Sequence, residues 1–216
     1  LQNNDKPWVV AYWHQPPYTK GSHDSDNVWE IFMKAMRENF VPVLEQYGVD
    51  VVVNGHSHVY ERSYLINGYY TGTSADFNPA VHLVDGSSGN ETIGEEYVKY
   101  IDGTEPNKGT VYVVCGNSGS SEGSAPLISN PHPVMYFSEA GSNAYGSFIM
   151  DINGDLLTGK YLDASTGTIK DQFTIKKKSV TGIEGKYDFF KNVTDVKIVP
   201  NPFNSSANVE YTLERD

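Results

Sequence analysis

Thiols are almost absent from this chain: Cys115 is the single cysteine in 216 residues. That excludes an internal disulfide framework and any cysteine-rich zinc site, so a metal held here must take histidine with carboxylate or amide oxygen. Cys115 itself sits in an apolar run and reads as a small buried hydrophobe. Basic side chains are scarce as well. Sixteen Lys and Arg stand against 27 Asp and Glu, for a net charge of −11. A nucleic-acid backbone would find no basic patch from which to release counterions, so it is not an expected partner. Lys176 to Lys178 form the one basic run, and at the end of a strand it reads as a solvated edge. No apolar stretch exceeds strand length, so no membrane span is expected. An initiating Met and a signal peptide are also missing from the opening Leu1-Gln2-Asn3-Asn4-Asp5-Lys6-Pro7. The chain therefore reads as an internal piece of a longer product.

Aromatic residues, by contrast, are plentiful at 12%, with 15 Tyr, enough to build a sizeable core. Trp8 to Trp13 is a continuous apolar run that reads as a buried strand and ends in His14-Gln15-Pro16-Pro17. Asp26 or Asn27 is a candidate cap for a helix of roughly 20 residues, whose Trp29, Phe32, Met33, Met36, Phe40 and Leu44 recur at threes and fours as one buried stripe. Pro42 should bend or restart this helix and Gly48 should close it. Val49 to Val53 is the next buried strand. Strand, helix, strand makes a right-handed βαβ unit with neighbouring parallel strands. Gly55-His56-Ser57-His58 follows the second strand as His14 follows the first. All three histidines thus fall at the C-terminal strand ends, where open α/β sheets place their sites.

Further along, Asn67-Gly68 is a hairpin signal and Ala80 to Asp85 a short strand. Residues 86 to 109 read as loop. Val111 to Cys115, Tyr145 to Ile152, Leu156 to Leu162 and Thr168 to Ile175 read as strands, forming an antiparallel meander on the edge of the α/β unit. His82, between Val81 and Leu83, reads as an outward strand residue, and His132, between two prolines, as surface loop. Residues 179–194 read as a linker. Beyond it, residues 195–216 read as strand, Pro/Asn turn and strand, too few strands to fold alone.

Neutral imidazole is a common ligand for zinc and iron. His14, His56 and His58 suit either a mononuclear zinc site with an open position or half of a dinuclear site. The residue pattern leaves both open.

Tyr12-Trp13-His14-Gln15-Pro16-Pro17-Tyr18, the long helix, and Gly48-Val49-Asp50 through Asn54-Gly55-His56-Ser57-His58-Val59-Tyr60-Glu61-Arg62-Ser63 together resemble the C-terminal half of a calcineurin-like metallophosphoesterase, closest to the purple acid phosphatase branch. The resemblance covers about residues 7 to 175. It implies an α/β class in which residues 1–178 form the C-terminal part of a four-layer α/β/β/α sandwich. It also implies two metal ions, iron with zinc, manganese or a second iron, bridged by a hydroxide that attacks phosphorus in line. His14 and His56 resemble the ligands that share one metal, and His58 a ligand of the other. His23 resembles the histidine that faces the phosphate and protonates the leaving oxygen. Asp24 stands beside it in the substrate-facing position where plant-type members carry a further histidine. Tyr60, Glu61 and Arg62 are expected to brace the histidine loop. The family's first half supplies two aspartates, a tyrosine or equivalent and an Asn-His pair. None of these lies in the chain, so alone it is expected to bind metals poorly and to be inactive.

Pro200-Asn201-Pro202-Phe203-Asn204 resembles the start of the sorting domain of the bacterial type IX secretion system, or of a related immunoglobulin-like module. This implies that the first strands of an all-β immunoglobulin-like domain follow the sandwich, and it implies a secreted or cell-surface protein. The leading expectation is thus a fragment of an exported phosphatase acting on phosphomonoesters. The alternatives are a phosphodiesterase or nucleotidase on the same metals, or a catalytically silent surface module using the tyrosine-rich loops between Tyr64 and Tyr100.

Overall fold

The computed structural model describes residues 1–120, 130–140 and 144–180, and two further strands beyond them. Leu1–Val180 form one compact unit and Thr181–Asp216 a second.

β1 (Val10–Trp13) follows Pro7 as expected, but it is an edge strand and Tyr12 is 83% exposed. The helical crossover is built of α1 (Ile31–Ala35), a wide π turn (Met36–Phe40) and α2 (Val41–Gln46). Pro42 offers no N–H and its ring crowds the preceding turn, which is a physical reason for the helix to widen just before it. Gly48, at φ +68°, ends the crossover in the left-handed conformation that glycine adopts without penalty. β2 (Val51–Asn54) then pairs in parallel with β1, from Val10 opposite Val51 to Trp13 opposite Asn54.

The buried stripe of this crossover differs from the expected one. Trp29 and Phe32 are 84% and 67% exposed, while Met33, Arg37, Val41 and Glu45 face inward. The helix starts at Ile31, so Asp26 and Asn27 do not cap it, and the π turn shifts the phase of everything after it. Two of the inward residues are charged because partners await them. Arg37 donates to the carbonyls of Pro17 (3.4 Å) and Gly72 (2.8 Å), and Glu45 accepts from Gly68 N (2.7 Å) and the Tyr112 hydroxyl (2.8 Å). Counting apolar spacings misses polar residues that are satisfied by distant loops.

β3 (Tyr60–Ser63) and the short β4 (Leu65–Ile66) follow the histidine turn. One helical turn, α3 (Pro79–His82), precedes β5 (Leu83–Asp85), so the strand expected from Ala80 begins three residues late. β4 and β5 are antiparallel, but residues 67–82 lie between them, and Asn67-Gly68 is not a tight hairpin. Within the stretch read as loop lies β6 (Tyr97–Tyr100), with Tyr97 and Lys99 buried. β7 (Val111–Cys115), β8 (Met135–Glu139), β9 (Gly146–Asn153), β10 (Leu156–Asp163) and β11 (Ile169–Lys178) complete the unit.

Beside the two-stranded β4-β5 pair, two larger sheets result, ordered β1-β2-β7-β3-β8 and β6-β11-β10-β9. The meander β9-β10-β11 is therefore not an extension of the first sheet. It forms a second layer, with β6 parallel to β11. β7 shows why the layers stack. Its alternate residues Tyr112 and Val114 join Val41, Val49 and Val52 on the helix side, while Val111 and Val113 meet Leu157, Phe173 and Ile175 of the second sheet. The fold is mixed α/β, and helix, sheet and sheet are the layers present among the described residues.

Lys177 corrects the reading of a solvated lysine edge. Its ammonium is 3.0 Å from Asp50 and 4.6 Å from the Trp8 ring, and Lys99 approaches Asp50 at 2.7 Å. Burial lowers the Lys99 ammonium to about 8. Asp50 also accepts from Val9 N at 2.9 Å, so this buried trio pins the entry ends of β1 and β2 to the second sheet.

In the second unit, β12 (Val193–Val199) pairs antiparallel with β13 (Asn208–Leu213). Of the linker expected over residues 179–194, β12 takes in 193 and 194, while residues 181–192 and the Pro200 to Asn204 string lie outside the described residues. Among the described residues of this unit these are the two strands.

Candidate metal centre

Because β1 and β2 are parallel and in register, they deliver their next residues to one place. Asn54 Nδ2 donates to Trp13 O (3.1 Å) and Gly55 N to His14 O (3.0 Å). Beyond them the chain folds tightly, with Ser57 N donating to Gly55 O and Val59 N to Ser57 O, both at 2.8 Å. Position 116 must be glycine for this turn to fit, since a Cβ there would lie 2.1 Å from the Ser57 carbonyl oxygen. His56 takes φ +65°. That is costly for a side chain other than glycine, by roughly 1–3 kcal/mol.

The strained backbone brings His56 Nδ1 to 3.2 Å from His14 Nε2, with the rings edge to face at 5.1 Å. On its other side the His56 ring stacks against His23 at 4.0 Å. His23 Nδ1 is hydrogen bonded to Glu30 Oε1 at 2.6 Å, and Glu30 Oε2 lies 3.8 Å from His56 Nε2. His14, His23 and His56 thus gather with Glu30, which the sequence reading missed. Glu30 stands seven residues after His23, in a stretch read as helix interior, and no spacing motif marks it.

Two further expected site residues, His58 and Asp24, are held by contacts to or within the loop that bears His23. The backbone N–H of His58 donates to Ser22 Oγ at 2.9 Å, and its ring is outside the His23, Glu30, His56 cluster, in which one ligand atom from each residue lies within 4.8 Å of the others. Asp24 Oδ1 accepts from Asp26 N at 2.9 Å and closes a local turn.

Two clasps tie the His23 loop to the histidine turn. Ser57 Oγ accepts from Ser22 N at 3.1 Å, and Glu61 accepts from Lys20 N at 3.1 Å and from the Thr19 hydroxyl. Burial raises the Glu61 carboxyl to about 7. Tyr60 and Arg62 brace in the other direction, both donating to Asp171 of β11. The remaining histidines depart from expectation. His132 is fully buried: Asn130, Pro131 and Pro133 beside it are exposed, but its own ring turns inward against Tyr18 and Tyr69. His82 is in a helical turn, packs on Tyr69 and Phe77, and accepts from Asn78 N at 3.0 Å through Nδ1.

The donor set suits a metal ion. Two nitrogens bound at the usual distance to one tetrahedral ion lie about 3.3 Å apart, and His14 Nε2 and His56 Nδ1 are at 3.2 Å. Burial, with the neighbouring His23 adding to it, lowers the His56 imidazole below its ordinary range and favours the neutral form that binds metals. His56 Nε2 is buried without a hydrogen-bond partner. Glu30 is its nearest carboxylate, in the outer position from which acceptors orient ligand histidines.

Residues 1–60 match the calcineurin-like phosphoesterase family. Among particular relatives, the chain is similar to a purple acid phosphatase of Glycine max, 29% identical over 153 residues, spanning 70% of this chain and 26% of that protein. Purple acid phosphatase 15 of Arabidopsis thaliana is 35% identical over 86 residues, 39% of this chain and 14% of its own length. The fold resembles that of a purple acid phosphatase from yellow lupin (Lupinus luteus) seeds, with a TM-score of 0.55 at 20% identity over 82% of this chain and 26% of that one. The chain spans about a quarter of the length of the soybean relative.

Proposed function

We propose that this chain contributes half of the dinuclear metal centre of a phosphatase that hydrolyses phosphomonoesters. The observation that carries the reading is the approach of His14 Nε2 and His56 Nδ1 to 3.2 Å at the ends of two parallel strands. His14 and His56 would hold one ion and His58 the other, with the remaining carboxylate and amide ligands supplied by sequence upstream of Leu1. Such an ion pair neutralises phosphoryl oxygens and lowers the pKa of a coordinated water. His23 is the proton donor to the leaving oxygen. Its hydrogen bond to Glu30 orients the ring and commits Nδ1, leaving Nε2 to give up the proton.

Export to the cell surface or beyond belongs to the same proposal. It is supported by the resemblance of the Pro200 to Asn204 string to a sorting-domain start and by the antiparallel strands that flank it. Among the described residues no helix is long and apolar enough to cross a membrane.

The test uses the full-length protein. Metal analysis should find two ions per chain, and a chromogenic phosphomonoester should be hydrolysed faster than a diester. A metal-loaded protein that cleaves neither would leave a silent surface module as the surviving account, and faster diester cleavage would reassign the substrate class.

A further inference from the structure

Below the histidine cluster, the loop that bears His23 rests on a buried polar node. Asp26 comes from that loop, Arg37 from the π turn and His132 from the segment after residue 129. The Arg37 and His132 side chains are 1% and 0% exposed and that of Asp26 13%. Each has outward bonds. Asp26 Oδ2 accepts from Ser74 N (2.9 Å) and Ser74 Oγ (2.5 Å) and lies 3.3 Å from Lys20 Nζ. Arg37 donates through its terminal nitrogens to Pro17 O and Gly72 O. His132 Nδ1 accepts from Val134 N at 3.4 Å.

With those bonds made, one polar atom of each residue remains buried and unpartnered: Asp26 Oδ1, Arg37 Nε and His132 Nε2. Their chemistry is complementary. Arg37 Nε can only donate, Asp26 Oδ1 accepts, and His132, accepting at Nδ1, carries its proton on Nε2. Burial lowers the His132 imidazole to about 3, which keeps it in that neutral form. Asp26 Oδ1 lies 3.9 Å from His132 Nε2 and 3.7 Å from Arg37 Nη1. Arg37 Nη1 is already bonded to Pro17 O, and the 3.9 Å between the orphaned Asp26 Oδ1 and His132 Nε2 is too long for a direct hydrogen bond and short enough for one water to touch both. Leaving three buried polar atoms unpaired would be costly.

We propose that Asp26, Arg37 and His132 together bind one buried water, and that this node is the positioning element that sets His23 over the histidine turn. Asp26 stands three residues after His23 and four before Glu30, so movement at the node is passed to both. The Ser22–Ser57 clasp holds the other side of the same short span. A water accepting from Arg37 and His132 and donating to Asp26 satisfies all three segments at once. The positioning role rests on the reading of His23 given above, whereas the water site does not.

High-resolution diffraction from the full-length protein tests the water directly. One water within hydrogen-bonding distance of all three atoms is expected, and either no such density or direct pairing of the three groups overturns the site. For the positioning role, His132→Phe should lower kcat on a phosphomonoester roughly tenfold or more, with KM and metal content unchanged, and should speed hydrogen exchange of amides 19–27. His132→Gln, which restores a donor, should recover most of both losses. A fall in Tm with unchanged kcat and unchanged exchange in His132→Phe would overturn the positioning role. Should the wild-type protein hydrolyse no phosphate ester, the proposed function fails, while diffraction and exchange still decide the node.

Discussion

The Arg62–Asp171 seam and the histidine turn are both polar clusters on the same sheet, and they follow opposite rules. At the seam each donor meets an acceptor. Arg62 reaches the two Asp171 oxygens at 2.6 and 2.8 Å, the Tyr60 hydroxyl adds a third bond at 2.9 Å, and both charged side chains are almost wholly buried. Asp171 holds the guanidinium firmly protonated. At the turn, three imidazoles crowd together, His56 stands at φ +65°, and its Nε2 has no partner. The seam joins two sheets and needs nothing more. The turn stores strain and unmatched bases, which is the state expected of groups arranged for a ligand.

Four substitutions in the full-length protein probe this contrast. Asp171→Ala leaves a buried guanidinium unpaired and should cost about 3–5 kcal/mol in urea unfolding, without loss of metal from the folded fraction. His56→Ala should do the reverse, lowering metal content and reducing phosphomonoesterase activity by at least about a hundredfold, while the metal-free protein unfolds at nearly the wild-type urea concentration. Equal destabilisation by the two would erase the distinction between joint and site.

Glu61 lies between these cases, a buried carboxyl with partners but no countercharge. Its folded value of about 7 stands above the ordinary 4.5. Its contribution is therefore complete below about pH 4.5 and is lost as pH rises through 7, an effect on the order of 3 kcal/mol at most. Glu61→Gln should flatten that decline in Tm between pH 4.5 and 8, and an unchanged slope would show that the burial of Glu61 does not set it. Glu30→Gln should have the smallest effect, roughly a tenfold loss of kcat with metals retained. Loss of metal instead would make Glu30 a ligand.

The parallel β1 and β2 and the placing of His14 and His56 were legible because apolar runs and a glycine-bounded helix leave little freedom in a βαβ unit. The second sheet was readable as strands but not as a layer, since strand patterns do not say which sheet receives them. Arg37, Glu45, Lys99 and Lys177 hid their burial because their partners are distant in sequence. Glu30 and His132 were concealed in the same way. One fell within a stretch read as helix and the other within a proline loop, and only the tertiary path of residues 14 to 30 gives them a role.

The central claim is that His14 Nε2 and His56 Nδ1 share one metal ion. Anomalous diffraction from metal-loaded full-length crystals tests it most directly. One of two peaks should lie at coordination distance from both nitrogens, and metal peaks that lie away from this pair would contradict a shared ion.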